Sequence, residues 1–134
     1  LPCKLPAWGY ISGIDLKTHQ IVWKKRIGTP RDSMPFPMPF PVPFNMGMPM
    51  LGGPISTAGN VLFIGATADN YIRAYNMTNG EKLWQARLPA GGQATPMTYE
   101  ANGKQYVVIA AGGHGSFGTK MGDYIVAYAL PDEQ

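Results

Sequence analysis

Gly13-Ile14-Asp15-Leu16-Lys17-Thr18-His19-Gln20-Ile21-Val22-Trp23 reads against Ala74-Tyr75-Asn76-Met77-Thr78-Asn79-Gly80-Glu81-Lys82-Leu83-Trp84, 61 residues further along the chain. Both stretches begin on a small residue, pass an Asp or Asn into a polar turn, and end on Trp. A third start, Tyr124-Ile125-Val126-Ala127-Tyr128, matches Tyr71-Ile72-Arg73-Ala74-Tyr75 at a distance of 53 residues, then runs into Leu130-Pro131. Self-similarity at such a spacing marks units that bury their faces only by stacking on one another.

Working outward, each copy parses into short strands. Asn60 to Gly65 is apolar and β-rich, and Pro54 to Gly59 precedes it. Lys82 to Leu88 follows the Thr78-Asn79-Gly80 turn. Next come Ala94 to Tyr99, the turn Asn102-Gly103, and Gln105 to Ala111. Four such strands divided by Asn-Gly-type turns make one antiparallel blade. The predicted fold is therefore all-β, a β-propeller built of four-stranded blades. No stretch carries helical periodicity. On this parse residues 1–27 hold the outer strands of one blade and 28–53 a Pro/Met-rich crossing loop. Residues 54–88 form a full blade, and 94–130 a last blade or closing strands.

The parse also sorts the loops. In an up-and-down blade, the turns after the first and third strands share one face. The turns after the second strand and the crossings between blades share the other. The Asp/Asn turns before each Trp fall on the first face. The crossing from Gly28 to Gly53, the turn Ala66 to Asn70 and the loop Gly112 to Asp123 fall on the second.

Composition agrees with this picture. The 134 residues include 17 Gly and 13 Pro, roughly twice the ordinary share. That content breaks coiled coils and long bundles. Charged residues are 14% and apolar residues 45% of the chain, the reverse of a disordered composition. The longest uncharged apolar run, Tyr106 to Gly113, is far short of the ~20 residues of a transmembrane helix. Net charge is +3, but apart from Lys24-Lys25-Arg26 the basic residues are scattered, with no stripe to track nucleic-acid phosphates. Cys3 is the only cysteine, which excludes an internal disulfide and a cysteine zinc site. The chain opens mid-pattern at Leu1-Pro2-Cys3, without an initiator Met or a signal peptide. A piece of a longer propeller is expected, with open strand edges when isolated.

Several residues stand out as candidates. Trp23 and Trp84 recur at a fixed offset from a turn, which favours rings wedged between neighbouring blades over ligand stacking. Asp15, Thr18, Asn76 and Asn79 read as turn formers. Pro35 to Phe44 alternates proline with large apolar residues and is expected to be an extended arm packed over the second face. Met46, Met48 and Met50 offer thioethers two residues apart, a spacing open to Cu(I) or to adaptable packing. Gly112-Gly113-His114-Gly115-Ser116-Phe117-Gly118 is the most informative segment, an insertion relative to Ala66-Thr67-Ala68-Asp69 of the preceding copy. Flanking glycines leave His114 little local packing and let backbone approach a ligand. His114 is therefore a candidate hydrogen-bonding or proton-handling group. Asp69 is a weaker candidate, because Asp-Asn is also ordinary turn chemistry. No nucleophile elbow or oxyanion loop accompanies His114 and Ser116, which excludes a Ser/His/Asp hydrolase.

At these residues the chain resembles a known family. The repeat ending in Trp23 and Trp84 is similar to the tryptophan-docking motif of the eight-bladed quinoprotein alcohol dehydrogenases. Leu51-Gly52-Gly53-Pro54-Ile55-Ser56-Thr57-Ala58-Gly59-Asn60 resembles a late-blade signature of that family. Asp32 to Met50 and Gly112 to Tyr124 narrow the match to the C-terminal end of the membrane-bound, PQQ-dependent glucose dehydrogenases of Gram-negative bacteria. The likeness covers essentially the whole chain. His19 stands where the motif usually has Gly, Gly13 where it has Ala, and Asn76 where it has Asp.

The resemblance implies an oxidoreductase, with this chain as part of its propeller. It implies PQQ and Ca²⁺ or Mg²⁺ on the propeller axis. Glucose would be oxidised to glucono-1,5-lactone, with hydride passing to PQQ as a carboxylate takes the hydroxyl proton. Electrons would go on to ubiquinone, at the periplasmic face of the inner membrane, through an anchor outside this chain. The catalytic base and the metal ligands would lie in earlier blades, leaving no metal ligand here and a fragment inactive alone. By the same resemblance His114 and Gly115 match positions near cofactor and sugar, and Asp69 matches an acidic position that tunes charge there. Leu51 matches a position whose backbone approaches PQQ. The alternative is a non-catalytic periplasmic propeller scaffold that binds proteins on its faces.

Overall fold

In the computed structural model of the chain, residues 4–33 and 44–132 are described. Cys3 and most of the Pro/Phe arm, residues 35–43, lie outside them. Among the described residues, nine strands form three antiparallel sheets. The first pairs β1 (Tyr10–Asp15) with β2 (Gln20–Arg26). The second runs in chain order through β3 (Ile55–Ser56), β4 (Val61–Ile64), β5 (Tyr71–Asn76) and β6 (Lys82–Arg87). The third joins β7 (Met97–Ala101), β8 (Lys104–Ala111) and β9 (Tyr124–Ala129). The fold is all-β, with propeller-type blades.

Turn chemistry sets where these strands end. Asp15 Oδ1 accepts a hydrogen bond from the Lys17 backbone N–H at 2.8 Å, and Asn76 Oδ1 accepts the matching bond from Thr78 at 2.8 Å. The repeat is therefore conserved as geometry between the two copies, with Asn doing the work of Asp. At the turn's end Gly80 has φ +70°, and His19 at the matched position has φ +55°. Histidine is thus held in a left-handed conformation that glycine adopts without steric cost. Asn102 and Gly103, with φ +52° and +74°, close the β7–β8 hairpin as a two-residue turn of the type that follows strand twist.

One expected boundary moves, and one short element is added. The strand expected from Ala94 begins only at Met97, immediately after Pro96, which has no N–H to give a ladder. Residues 115–117 form a single 3₁₀ turn, too short to leave a periodic signal in sequence.

The middle sheet is covered on both faces, and strand alternation assigns the faces. Leu62, Ile64 and Tyr75 join Ile11, Ile27 and Ala66 in a core toward the first sheet, while Phe63 and Ile72 join Leu88, Val107 and Ile109 in a core toward the third. Fully buried Ile27, Ile72 and Ile109 each contribute about 1.5–3 kcal/mol from removal of apolar surface from water.

Trp23 joins the first two sheets. It lies across the ladder from Gly13, which has no side chain to block the ring. Its Nε1 donates to the Met77 carbonyl of the next sheet at 2.7 Å. A Cβ on Gly80 would collide with the same indole, so both small residues of the motif exist to let the ring lie flat between blades. Trp84 occupies the matched place opposite Ala74 and meets Tyr128 of β9 edge-on, with ring centroids 5.0 Å apart. It remains 37% exposed, since Leu130-Pro131 offers no glycine turn to receive it. Trp23→Ala in the full-length protein is expected to cost about 3–5 kcal/mol and Trp84→Ala clearly less. Thermal unfolding of the two variants checks the order.

Candidate functional site

The loops assigned to the second face come together. The crossing leaves and returns through one neck, where Met48 N–H donates to the Ile27 carbonyl at 2.7 Å and Gly47 N–H to the Gly28 carbonyl at 3.2 Å. Gly28 (φ +94°) runs so close to the Met48 Cβ that no side chain fits there. Met48 is buried and Met50 packs on the core between the first two sheets. These thioethers fill space, the packing reading of the methionine run.

Asp69 lies at the centre of the assembly and is 1% exposed. Arg73, four residues on and itself 4% exposed, grips it with both guanidinium arms, at 2.9 Å to Oδ1 and 2.5 Å to Oδ2. Thr67 Oγ1 donates to Asp69 Oδ1, and Thr29 donates to Oδ2 from its N–H at 2.7 Å and its hydroxyl at 3.0 Å. Burial pushes the Asp69 carboxyl up, but the Arg73 hydrogen bonds and charge, with the Thr67 and Thr29 donors, outweigh it and hold it below the usual carboxylate range. The charge of Asp69 is therefore matched on the spot, and its carboxylate ties the start of the crossing to the turn of the middle sheet.

A second clasp lies beside the first. Arg87 donates to Asp32 Oδ2 at 2.7 Å, and the Asn70 N–H donates to the same oxygen at 3.0 Å. Burial pushes the Asp32 carboxyl up, yet the Arg87 hydrogen bond, the Asn70 N–H and the Arg87 charge hold it below its ordinary range. Arg31 donates to the Tyr71 hydroxyl at 2.8 Å, while the Arg73 and Arg87 guanidiniums lie 5.2 Å and 4.9 Å from the Tyr71 ring centroid.

His114 projects from the other side of the face. Its loop is closed by backbone hydrogen bonds from Gly113 to Gly91 (2.8 Å), Gly91 to Lys120 (2.9 Å) and Gly122 to Gly112 (3.0 Å). The His114 N–H donates to Thr119 Oγ1 at 2.9 Å. His114 and Gly115 are exposed, and a Cβ on Gly115 would meet nothing. The imidazole thus sits exposed on an anchored backbone. Leu51, 42% exposed, is fixed by its N–H to the Ala66 carbonyl at 2.9 Å. Among the described residues no three His, Cys, Asp or Glu side chains gather to hold an ion.

Sequence reading overlooked Arg73, Gln93 and Thr119, all buried. Arg73 had left a signal: a charged residue within the apolar run Tyr71-Ile72-Arg73-Ala74-Tyr75 needs a buried partner, and Asp69 lies four residues before it. Gln93 and Thr119 sit among glycines and small polar residues, where nothing distinguishes them from loop surface.

The model of the glucose/ethanol/alcohol dehydrogenase β-propeller domain, the PQQ family, matches residues 1–107. The chain belongs to this PQQ dehydrogenase propeller family. It is 89% identical over 99% of its length to the quinoprotein glucose dehydrogenase of Escherichia coli (strain K12) and 75% identical over 100% to quinoprotein glucose dehydrogenase A of Acinetobacter calcoaceticus. It spans 17% of the length of each of these curated relatives. Among solved structures, the quinohemoprotein alcohol dehydrogenase ADHIIG of Pseudomonas putida HK5 superposes with TM-score 0.54 at 31% identity, over 76% of this chain and 12% of that one. The quinohemoprotein alcohol dehydrogenase of Comamonas testosteroni shares the fold with TM-score 0.61 at 24% identity, over 92% of this chain and 18% of that one.

Within the PQQ dehydrogenase propeller family, the Asp69–Arg73 pair of this chain makes a pH-dependent contribution of definite sign. A carboxyl with a depressed folded pKa stabilises the fold fully above its unfolded value and loses that contribution as pH falls through the folded one. Asp69→Asn leaves Arg73 buried without its counter-charge. The expected cost is about 3–5 kcal/mol near neutral pH. The gap from wild type should narrow as pH drops through and below the carboxylate range, as read by unfolding midpoints against pH.

Proposed function

We propose that this chain is part of the propeller of a PQQ-dependent glucose dehydrogenase, and that its second face supplies one sector of the wall around cofactor and sugar. The observation that carries the reading is His114: an exposed imidazole on a hydrogen-bonded, glycine-framed loop of a chain whose relatives are named quinoprotein glucose dehydrogenases. The residues fit the edge of a flat, polar cofactor. His114 offers a hydrogen-bonding ring, Gly115 leaves room for close approach, and exposed Leu51 offers apolar surface shortly before strand β3.

When bound, PQQ supplies the two-electron acceptor for oxidation of D-glucose to glucono-1,5-lactone. In this reading His114 binds and orients the sugar or the quinone through its ring nitrogens, with its position fixed by the Thr119 hydroxyl. Asp69 acts on the pocket as half of a locally neutral pair, so it shapes the crossing and spares the pocket an unmatched charge. Gly115 and the backbone at Leu51 bound the cofactor space. The Ca²⁺ or Mg²⁺ ion and the catalytic base are assigned to parts of the protein beyond this chain. Transfer of electrons to ubiquinone and a place at the periplasmic face of the inner membrane belong to the same proposal, supported by the likeness to glucose dehydrogenases of that kind.

The test uses the full-length protein reconstituted with PQQ and Ca²⁺ or Mg²⁺, with glucose-dependent dye reduction as the readout. Turnover is expected in the wild type. His114→Ala is expected to raise the KM for glucose about tenfold or more, in line with a lost hydrogen bond to a bound ligand, with the unfolding midpoint little changed. An unchanged KM in a folded His114→Ala protein would reject the role.

A further inference from the structure

The candidate residues Leu51, Asp69 and His114 sit on different loops, and one buried residue lies between them. Gln93 lies in the crossing between the second and third sheets, 9% exposed. Its Nε2 donates to the Thr67 carbonyl at 2.9 Å, and its Oε1 accepts from Thr119 Oγ1 at 2.8 Å. Thr119 Oγ1 in turn accepts the His114 N–H, and Thr67 Oγ1 donates to Asp69. On its backbone side, the Gln93 carbonyl runs against Gly52 (φ +125°), the residue after Leu51, so closely that a Cβ there would overlap it. Gly91 similarly leaves no room for a side chain over the Gln93 amide and the Thr119 hydroxyl.

We infer that Gln93 and Thr119 are positioning residues, which set the place of the His114 backbone relative to Leu51 and the Asp69–Arg73 pair. The inference deepens the function proposed above and rests on that reading of His114. Physically, an exposed imidazole has no packing of its own to fix it. Its geometry is inherited from its backbone, whose N–H meets the Thr119 hydroxyl. Each polar group on this path has a partner: the Thr119 hydroxyl accepts one bond and donates one, and the Gln93 amide uses both its ends, which determines which end is oxygen. A path satisfied at each step is rigid, and a loop displaced by about 1 Å is enough to lower catalysis strongly.

The variants are Thr119→Val, which keeps shape and removes the hydroxyl, Thr119→Ser, which restores it, and Gln93→Glu, which keeps shape and removes the donor to Thr67. All are made in the full-length protein. The first readout is glucose KM against kcat in the reconstituted enzyme. Thr119→Val and Gln93→Glu are expected to raise KM about tenfold with a smaller change in kcat, Thr119→Ser to restore wild-type values, and Thr119→Val to add nothing to the KM of His114→Ala. The second readout needs no cofactor: the rate of diethylpyrocarbonate modification of His114 in the apoprotein, followed by mass spectrometry. It should change at least threefold in Thr119→Val and Gln93→Glu, while His19, in its turn on the opposite face, keeps its rate as the internal control.

Unchanged KM and unchanged His114 modification in folded Thr119→Val and Gln93→Glu would overturn the inference. So would KM effects that persist at full size in the His114→Ala background, or failure of both variants to fold, since either assigns the path to structure alone. Should His114→Ala itself leave KM unaltered, the proposed role of His114 fails separately, and the modification rates alone decide whether Gln93 and Thr119 position it.

Discussion

A sheet of two to four short strands cannot bury both of its faces, and here the sheets solve this by leaning on one another. The contact that holds the first pair together is the Trp23 indole. It has Gly13 on its own sheet at its edge and Gly80 of the next sheet against its face, with its N–H spent on the Met77 carbonyl. Each feature of the turn motif serves that placement. Asp15 and Asn76 fix the turn by catching a backbone N–H two residues on. The small residue across the ladder makes space for the ring, and the glycine of the neighbouring blade receives it. Two apolar cores then fill the spaces between the three sheets.

This arrangement fixes one end of the strands and leaves the other to the loops. On the second face the loops are joined by polar contacts: a guanidinium fork on Asp69, another on Asp32, and the amide of Gln93 between Thr67 and Thr119. The buried charge of Asp69 is tolerated there because its carboxylate meets an arginine and further donors, while the Asp32–Arg87 pair is more exposed. The outcome is a rigid rim from which few side chains project. His114 and Leu51 do, and the glycines around them keep the approach open.

Much of this was legible in the chain itself. The Trp-ended repeat specified both the blade and the face on which each loop lies, because turn chemistry and strand alternation are local properties. The exposure of His114 was legible because glycines on both sides remove ordinary reasons for burying a histidine. Asp69 was visible as a residue but not as half of a pair, since pairing with Arg73 depends on the curl of the chain between them. Gln93 and Thr119 were invisible. Their importance comes from three loops of different blades meeting at one point, and no single stretch of sequence records that meeting. The start at Met97 instead of Ala94 shows the opposite case, a local rule about Pro96 that was available and outweighed by β-rich neighbours.

In the proposed function, blades clasped by Trp23 carry the His114 imidazole to the cofactor. An experimental structure of the full-length protein with PQQ bound tests it most directly. A His114 ring nitrogen is expected within about 3 Å of a polar atom of the cofactor or of a bound sugar, with the Gln93 and Thr119 hydrogen bonds intact. A cofactor seated elsewhere, with His114 facing bulk solvent, would contradict it.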